Sequence, residues 1–321
     1  MPTPLIPQEI YVLERYSSED YYLHMQDAWE VMLKHVESCL QRFIRQLPPD
    51  YRTRPLPYQP DIVWGQTVLP IFRETMQSLN EGFIELTHGI HSGLGAAISV
   101  ENDLRGAREY SEEWMDEVEP GAAHQYWELI GRASFFAGNI MRTSEAMWCK
   151  GALSTRYNPS TRGPLDPPTA WPRYRSNPRV QVRTGEPILQ TGIYLPEVED
   201  ASPQFLIASG KHSKYQRTAP MAKCGLIPSG LNAATKQPTL WTLVERVPGE
   251  TVPLEEGKGP SALPPPPTYA GQPCPRTGYW YTRAQRDSRR RFEQDEVFPS
   301  IPSEVSKGYT LWHWDTDQSG H

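Results

Sequence analysis

Cysteine is scarce in this chain, with four in 321 residues (Cys39, Cys149, Cys224 and Cys274) and no CxxC pair. A disulfide framework and a cysteine zinc site are therefore not expected, and the usage suits a reducing cytosol. Long apolar runs are missing as well. The longest weakly apolar stretch, residues 93–100, is well short of the roughly 18 residues of a spanning helix, and mean hydropathy is −0.60. Residues 1–16 carry Pro2, Pro4, Pro7, Glu9 and Glu14 in place of a basic start and an apolar run. No secretory signal is predicted, and the expected location is cytoplasmic. Signatures of nucleotide binding and hydrolysis are also absent: no GxGxxG follows a strand, and there is no P-loop, GxSxG or HExxH.

What is present is unevenly spread. With 38% hydrophobic and 22% charged residues the chain can bury a sizeable core. Of 33 prolines, 11 lie in residues 1–160 and 22 in residues 161–321. Helix is expected in the first half, and short strands with long loops in the second. The first half holds 22 acids against 13 Lys and Arg; the second holds 16 against 19, within a net charge of −6. The predicted fold is α+β: an antiparallel α-helical bundle over residues 1–157, a Pro-rich linker over 158–178, and a small, loop-rich, irregular β domain over 179–321.

Three apolar stripes define the bundle. Tyr22, Met25, Trp29, Met32, Val36, Cys39 and Phe43 recur at alternating steps of three and four, with Ser17 as the expected cap and Pro48-Pro49 as the stop. Phe72, Met76, Leu79, Phe83, Leu86, Ile90 and Leu94 form the second stripe. Trp127, Ile130, Ser134, Ala137, Met141, Ser144 and Trp148 form the third. A shorter helix is predicted from a cap at Ser111 to a stop at Pro120. Gly82, Gly89, Gly93, Gly95 and Gly106 predict a close helix approach or a break near Gly93-Leu94-Gly95; a ligand against exposed backbone is the other reading. Strands are predicted at 187–194, 204–208, 240–247, 279–282 and 309–314, with an exposed loop over 249–273.

Few residues offer chemistry. Glu85 and His88 have the ExxH spacing of di-metal bundles, but no second ExxH accompanies them, so no metal or cofactor is expected even with His91 nearby. Cys274 has no nearby histidine to activate it. Eight acids fall within residues 101–119, opposed only by Arg105 and Arg108. Such a segment is either a solvated bundle corner or a surface that attracts a basic partner. The opposite feature is Arg283, Arg286, Arg289, Arg290 and Arg291, interleaved with Tyr281 and Phe292. Arginine mixed with aromatics can bind nucleic acid. Here Glu293, Asp295 and Glu296 follow at once, and pairing to the acidic half is the preferred reading over nucleic acid.

Several segments resemble the immunity protein 71 and immunity protein 72 families of bacterial polymorphic-toxin and type VI secretion loci. The first are Trp64-Gly65-Gln66 with Pro70 and Phe72-Arg73, Tyr110 to Met115, and Gly131 to Asn139. Trp241 to Arg246 follows. The most distinctive is Cys274-Pro275-Arg276-Thr277-Gly278-Tyr279-Trp280, continuing through Arg290-Arg291-Phe292, Phe298-Pro299 and Trp312-His313-Trp314. The resemblance spans roughly residues 60–318. It implies a non-enzymatic immunity protein, an antitoxin that binds a cognate toxin in the cytoplasm. Cys274, Gly278, Trp280, Arg290, Phe298, Pro299, Trp312 and Trp314 would be its structural motif, with no catalytic residues. The toxin-binding residues expected from charge are Glu109, Glu112, Glu113, Asp116, Glu117 and Glu119, facing a basic toxin surface. No membrane partner is expected, and a homodimer is compatible with the sequence. The alternatives are an adaptor or chaperone for secreted cargo, and an enzyme without a local motif.

Overall fold

All seven residues of the first stripe, Tyr22 to Phe43, lie buried along one face of α2 (Glu19–Arg45). The computed structural model describes residues 3–47, 49–209, 216–224, 235–254, 267–282, 284–285, 288–301 and 310–315. The cap of α2 is Ser18, one residue later than expected: its Oγ accepts from the Tyr21 N–H at 3.2 Å. Ser17 instead donates its hydroxyl to the Leu13 carbonyl at 2.8 Å, closing a helix the stripes did not predict, α1 (Pro7–Tyr16). Pro7 opens α1 at the first helical position, where its missing N–H costs nothing, and Ile10, Leu13 and Tyr16 turn inward.

α3 (Pro60–Val63) passes through a wide π turn, Trp64–Val68, into α4 (Leu69–Thr87), where the second stripe begins. Phe72, Leu79, Leu86 and Leu94 are buried as expected. Ile90 is not: α4 has already ended at Thr87, and Ile90 is 46% exposed. A 3-10 segment, His91–Ala96, then leads to α5 (Ala97–Ala107). The glycines explain this path. A Cβ on Gly93 would fall on the carbonyl oxygen of Gly82, and one on Gly82 would meet the Tyr22 hydroxyl. Close approach and helix break are therefore both present. Gly93→Ala is expected to cost about 1–3 kcal/mol, the usual range for forced overpacking. Urea melts check it, and an unchanged midpoint would mean that the two backbones can part freely.

After α6 (Trp114–Val118), α7 (Ala122–Ser144) carries the third stripe only as far as Ser144, with Trp148 buried beyond its end, and α2 packs along both α4 and α7. A short α8 (Pro159–Arg162) precedes the strands. These are β1 (Trp171–Arg183), β2 (Gly192–Pro196), β3 (Gln204–Leu206), β4 (Ala222–Cys224), β5 (Thr235–Gln237) and β6 (Leu240–Val252). One antiparallel sheet has the order β1-β6-β2-β3, and β4 pairs with β5.

β1 runs through the end of the expected linker. It is an edge strand, and its register with β6 shifts between Pro172 and Tyr174 and again between Asn177 and Gln181. Pro172 and Pro178 sit at these irregularities, where a missing N–H breaks no regular ladder. Tyr174, Ile193, Phe205 and Val244 from the sheet, with Ile207 just past β3, share one core with α2, α4 and α7. Helices and first sheet are accordingly one body. The chain divides into compact units at Gly259/Pro260, not at residues 158–178.

The second unit contains β7 (Thr268–Tyr269), β8 (Gly278–Thr282), β9 (Arg290–Phe292) and β10 (Leu311–Trp314) in the order β7-β10-β8-β9. The loop expected over 249–273 is in part strand, since 249–252 complete β6 and β7 lies at its far end; residues 255–266 fall outside the described residues. The α+β class holds. Among the described residues no helix is long and apolar enough to cross a membrane.

Candidate functional site

The acidic corner begins where α5 ends and runs through α6 to the start of α7. It is fastened from below by aromatic rings. Trp64, held in the π turn, donates its indole N–H to the Ser111 carbonyl at 2.9 Å. Its ring meets those of Trp114 at 5.7 Å and Tyr126 at 5.5 Å, and Phe43 meets Trp114 at 5.6 Å. Ser111 does not cap α6 as expected. Its Oγ accepts from the Glu113 N–H at 3.4 Å in the preceding turn, and α6 has no side-chain cap.

The six acids assigned to this corner do different things. Glu112 is half-buried and accepts the Trp127 indole N–H at 2.6 Å. Asp116 accepts the backbone N–H of Ala123 at 3.0 Å, tying α6 to α7. Glu117 lies 3.4 Å from Arg54. Glu119 pairs with Arg42 at 2.6 Å, and that bond holds its carboxyl below the usual range. These pairs are exposed and contribute little to stability. Glu109 and Glu113 are exposed, and neither carboxylate has an intramolecular partner among the described residues. The composition of the segment was visible in the sequence; the division between fastened and free carboxylates was not, because it depends on Arg42, Arg54, Ala123 and Trp127.

Beside the corner, α4 and α5 enclose a cleft of about 160 Å³ lined by Ile71, Phe72, Asp103, Glu109 and Tyr110 among others. Asp103 accepts from Thr75 Oγ1 at 2.7 Å, and burial pushes its carboxyl up to about 6. Ile71 is 43% exposed at the rim. The corner thus presents both charge and apolar area.

The distinctive C-terminal residues converge in the second unit. Cys274, Trp280, Phe292, Phe298 and Trp312 are buried together, with Trp314 at the edge. Trp280 donates to the Arg276 carbonyl at 3.2 Å and Trp312 to that of Pro299 at 3.0 Å, so both buried indoles are satisfied. Gly278 pairs with Phe292 across β8 and β9. Burial pushes the Cys274 thiol up, against activation as a nucleophile.

The arginines of this unit are engaged locally. Arg290 lies 4.3 Å over the Phe292 ring, Arg289 bonds Asp315 at 2.6 Å, and Arg291 pairs with Glu293 at 2.7 Å. Their acids belong to the same unit, which corrects the expected pairing with the acidic half. Arg283 and Arg286 lie outside the described residues.

The Glu85 and His88 pair does not converge. Glu85 accepts from Ser92 at 3.2 Å, while the His88 ring turns back onto the Ile84 carbonyl at 2.8 Å. His91 bonds the Gly89 carbonyl at 3.1 Å. Among the described residues no group of three or more His, Cys, Asp or Glu could hold a metal ion. No protein-family model, curated protein or solved structure matches the chain.

Proposed function

We propose that the chain is an immunity protein that binds a cognate secreted toxin in the cytoplasm and neutralises it by occlusion, without catalysis. The reading rests on the segment resemblance from Trp64 to Trp314. The observation that carries its mechanism is the acidic corner: a ring-anchored surface on which Glu109 and Glu113 point no charge at any described partner, beside the apolar rim at Ile71. Free carboxylates on a rigid support attract a basic surface at long range and need no rearrangement on docking. The occupant is a toxin with a basic face.

The test uses the two free acids alone. Exchanging Glu112, Asp116 or Glu117 as well would break contacts to Trp127, Ala123 and Arg54 and confuse folding with docking. The E109K/E113K variant is expected to melt like the parent. Its association with the toxin encoded beside it should slow by about tenfold or more at low salt, with the difference shrinking as salt rises. It should also lose protection in toxin co-expression. A folded variant that protects fully and associates at the parental rate would remove the corner from the interface. An adaptor would alter export of the toxin without rescuing cells that already contain it.

A further inference from the structure

Where the chain leaves α7 and folds back through α8, it encloses a cleft of about 230 Å³ whose lining includes Arg142, Arg156 and Arg162 beside Trp148 and Asn158. The three arginines are well separated in sequence and form no basic run, so neither composition nor spacing marks them. Packing of the turn brings them together.

The geometry gives Arg142 and Arg162 neutral partners. Arg142 Nη1 donates to the Gly138 carbonyl at 3.0 Å. The Arg162 guanidinium lies 4.7 Å over the Trp148 ring, and its Nη1 reaches Asn139 Oδ1 at 3.4 Å. Among the described residues no carboxylate pairs with Arg142 or Arg162. Arg15, Arg42, Arg52, Arg54, Arg73 and Arg289, by contrast, each pair with an acid. Burial, followed by the charge of Arg142, holds the Arg162 pKa below its ordinary value. Its other charged-state neighbours are tyrosines, not carboxylates. Stacking on Trp148 also fixes the plane of the Arg162 fork, so little side-chain freedom remains to be lost on binding. Asn158 spends its carboxamide oxygen on the Ser160 N–H and hydroxyl, which leaves its NH₂ as a further donor at the rim.

We propose that this cleft binds a phosphoryl dianion. Guanidinium forks match carboxylate and phosphate oxygens alike, but a carboxylate carries one charge and saturates a single fork. A phosphoryl group brings about −1.5 to −2 charges and three acceptor oxygens, which suits three arginines at one cleft. The volume is below the roughly 300–1,000 Å³ of pockets that enclose a drug-sized ligand. The site therefore takes free phosphate, or the phosphate end of an ester whose remainder projects outward. This inference is independent of toxin binding.

Calorimetric titration of the full chain at constant ionic strength, in a phosphate-free buffer, tests it with three probes: inorganic phosphate, glycerol 2-phosphate and acetate. Phosphate or the ester is expected to give saturable heat, with acetate weaker by about tenfold or more. The tighter of the two phosphoryl probes identifies the source. R142Q and R156Q should each weaken that probe by about tenfold, while R132Q, at an exposed position elsewhere on α7, leaves it unchanged. Arg156 is exposed, so its variant tests the site even if R142Q folds poorly. No saturable heat at roughly 10 mM of either phosphoryl probe overturns the proposal. So does equal binding by the parent and both cleft variants.

Discussion

Trp64→Ala is expected to cost about 3–5 kcal/mol, the range for truncating a fully buried aromatic ring. Trp64 is 1% exposed and touches Phe72, Trp114 and Tyr126, so its removal leaves a hole between α4, α6 and α7. A second loss comes from its indole N–H. Without it the Ser111 carbonyl has no indole donor, and the turn leading into α6 loses its tie to the π turn. Trp64→Phe separates the two effects. It keeps much of the ring contact and removes the bond, and should cost about 1–2 kcal/mol. Urea melts give the totals, and amide exchange locates them. In both variants, exchange over residues 109–119 should quicken more than exchange in α2. A loss below about 1 kcal/mol in the alanine variant would contradict the anchoring role.

Glu9→Gln is expected to stabilise the protein at alkaline pH and to do nothing at acid pH. Glu9 is buried in α1 and accepts the Ser154 hydroxyl at 2.6 Å. Burial pushes its carboxyl up from the ordinary 4.5 to about 7, with the Ser154 bond pulling the other way. Between these values the folded chain keeps a proton that the unfolded chain has released. The stability that depends on Glu9 is thus complete below about pH 4.5, falls as pH rises to about 7, and is level above. Glutamine imitates the protonated form at every pH. The variant should exceed the parent by roughly 3 kcal/mol at pH 8, and the two should converge near pH 4.5. Burial also raises the carboxyls of Glu14 and Asp103, which add slopes of the same sign to both proteins and cancel in the difference. Parallel pH profiles for parent and variant would show that Glu9 ionises in the folded state as it does in water.

The helices were legible because their burial repeats with the period of the helix itself. Trp29, Met32 and Ile130 could be placed inside from spacing alone, and all three are fully buried. The stripe failed at Ile90, where the break announced by Gly93-Leu94-Gly95 begins a few residues early. β1 was hidden by Pro172 and Pro178, which argue against a strand unless it is known to be irregularly paired at an edge. That pairing partner, β6, lies some 70 residues away in sequence, with Tyr174 opposite Arg246. α1 was hidden for the same reason, since its opening proline reads locally as a breaker. Of the candidate site, the concentration of acids was readable and the freedom of Glu109 and Glu113 was not. The arginine cleft left no local trace because its charges are brought together by the path from Arg142 to Arg162.

The placement of α1 has a consequence for the order in which the chain can fold. Its neighbourhood holds Thr3 on the Val198 carbonyl at 2.6 Å, Gln8 on that of Leu153 at 2.9 Å, and Glu14 on the Tyr174 hydroxyl at 2.6 Å. These partners leave the ribosome about 145 to 195 residues after the groups they hold. At about 5–20 residues per second, these ties of α1 wait on the order of 10 seconds or more. α2, α4 and α7 can collapse in that interval, since their contacts are nearer in sequence. α1 is therefore secured well after it is synthesised, by groups that follow the bundle helices α2, α4 and α7 in the chain.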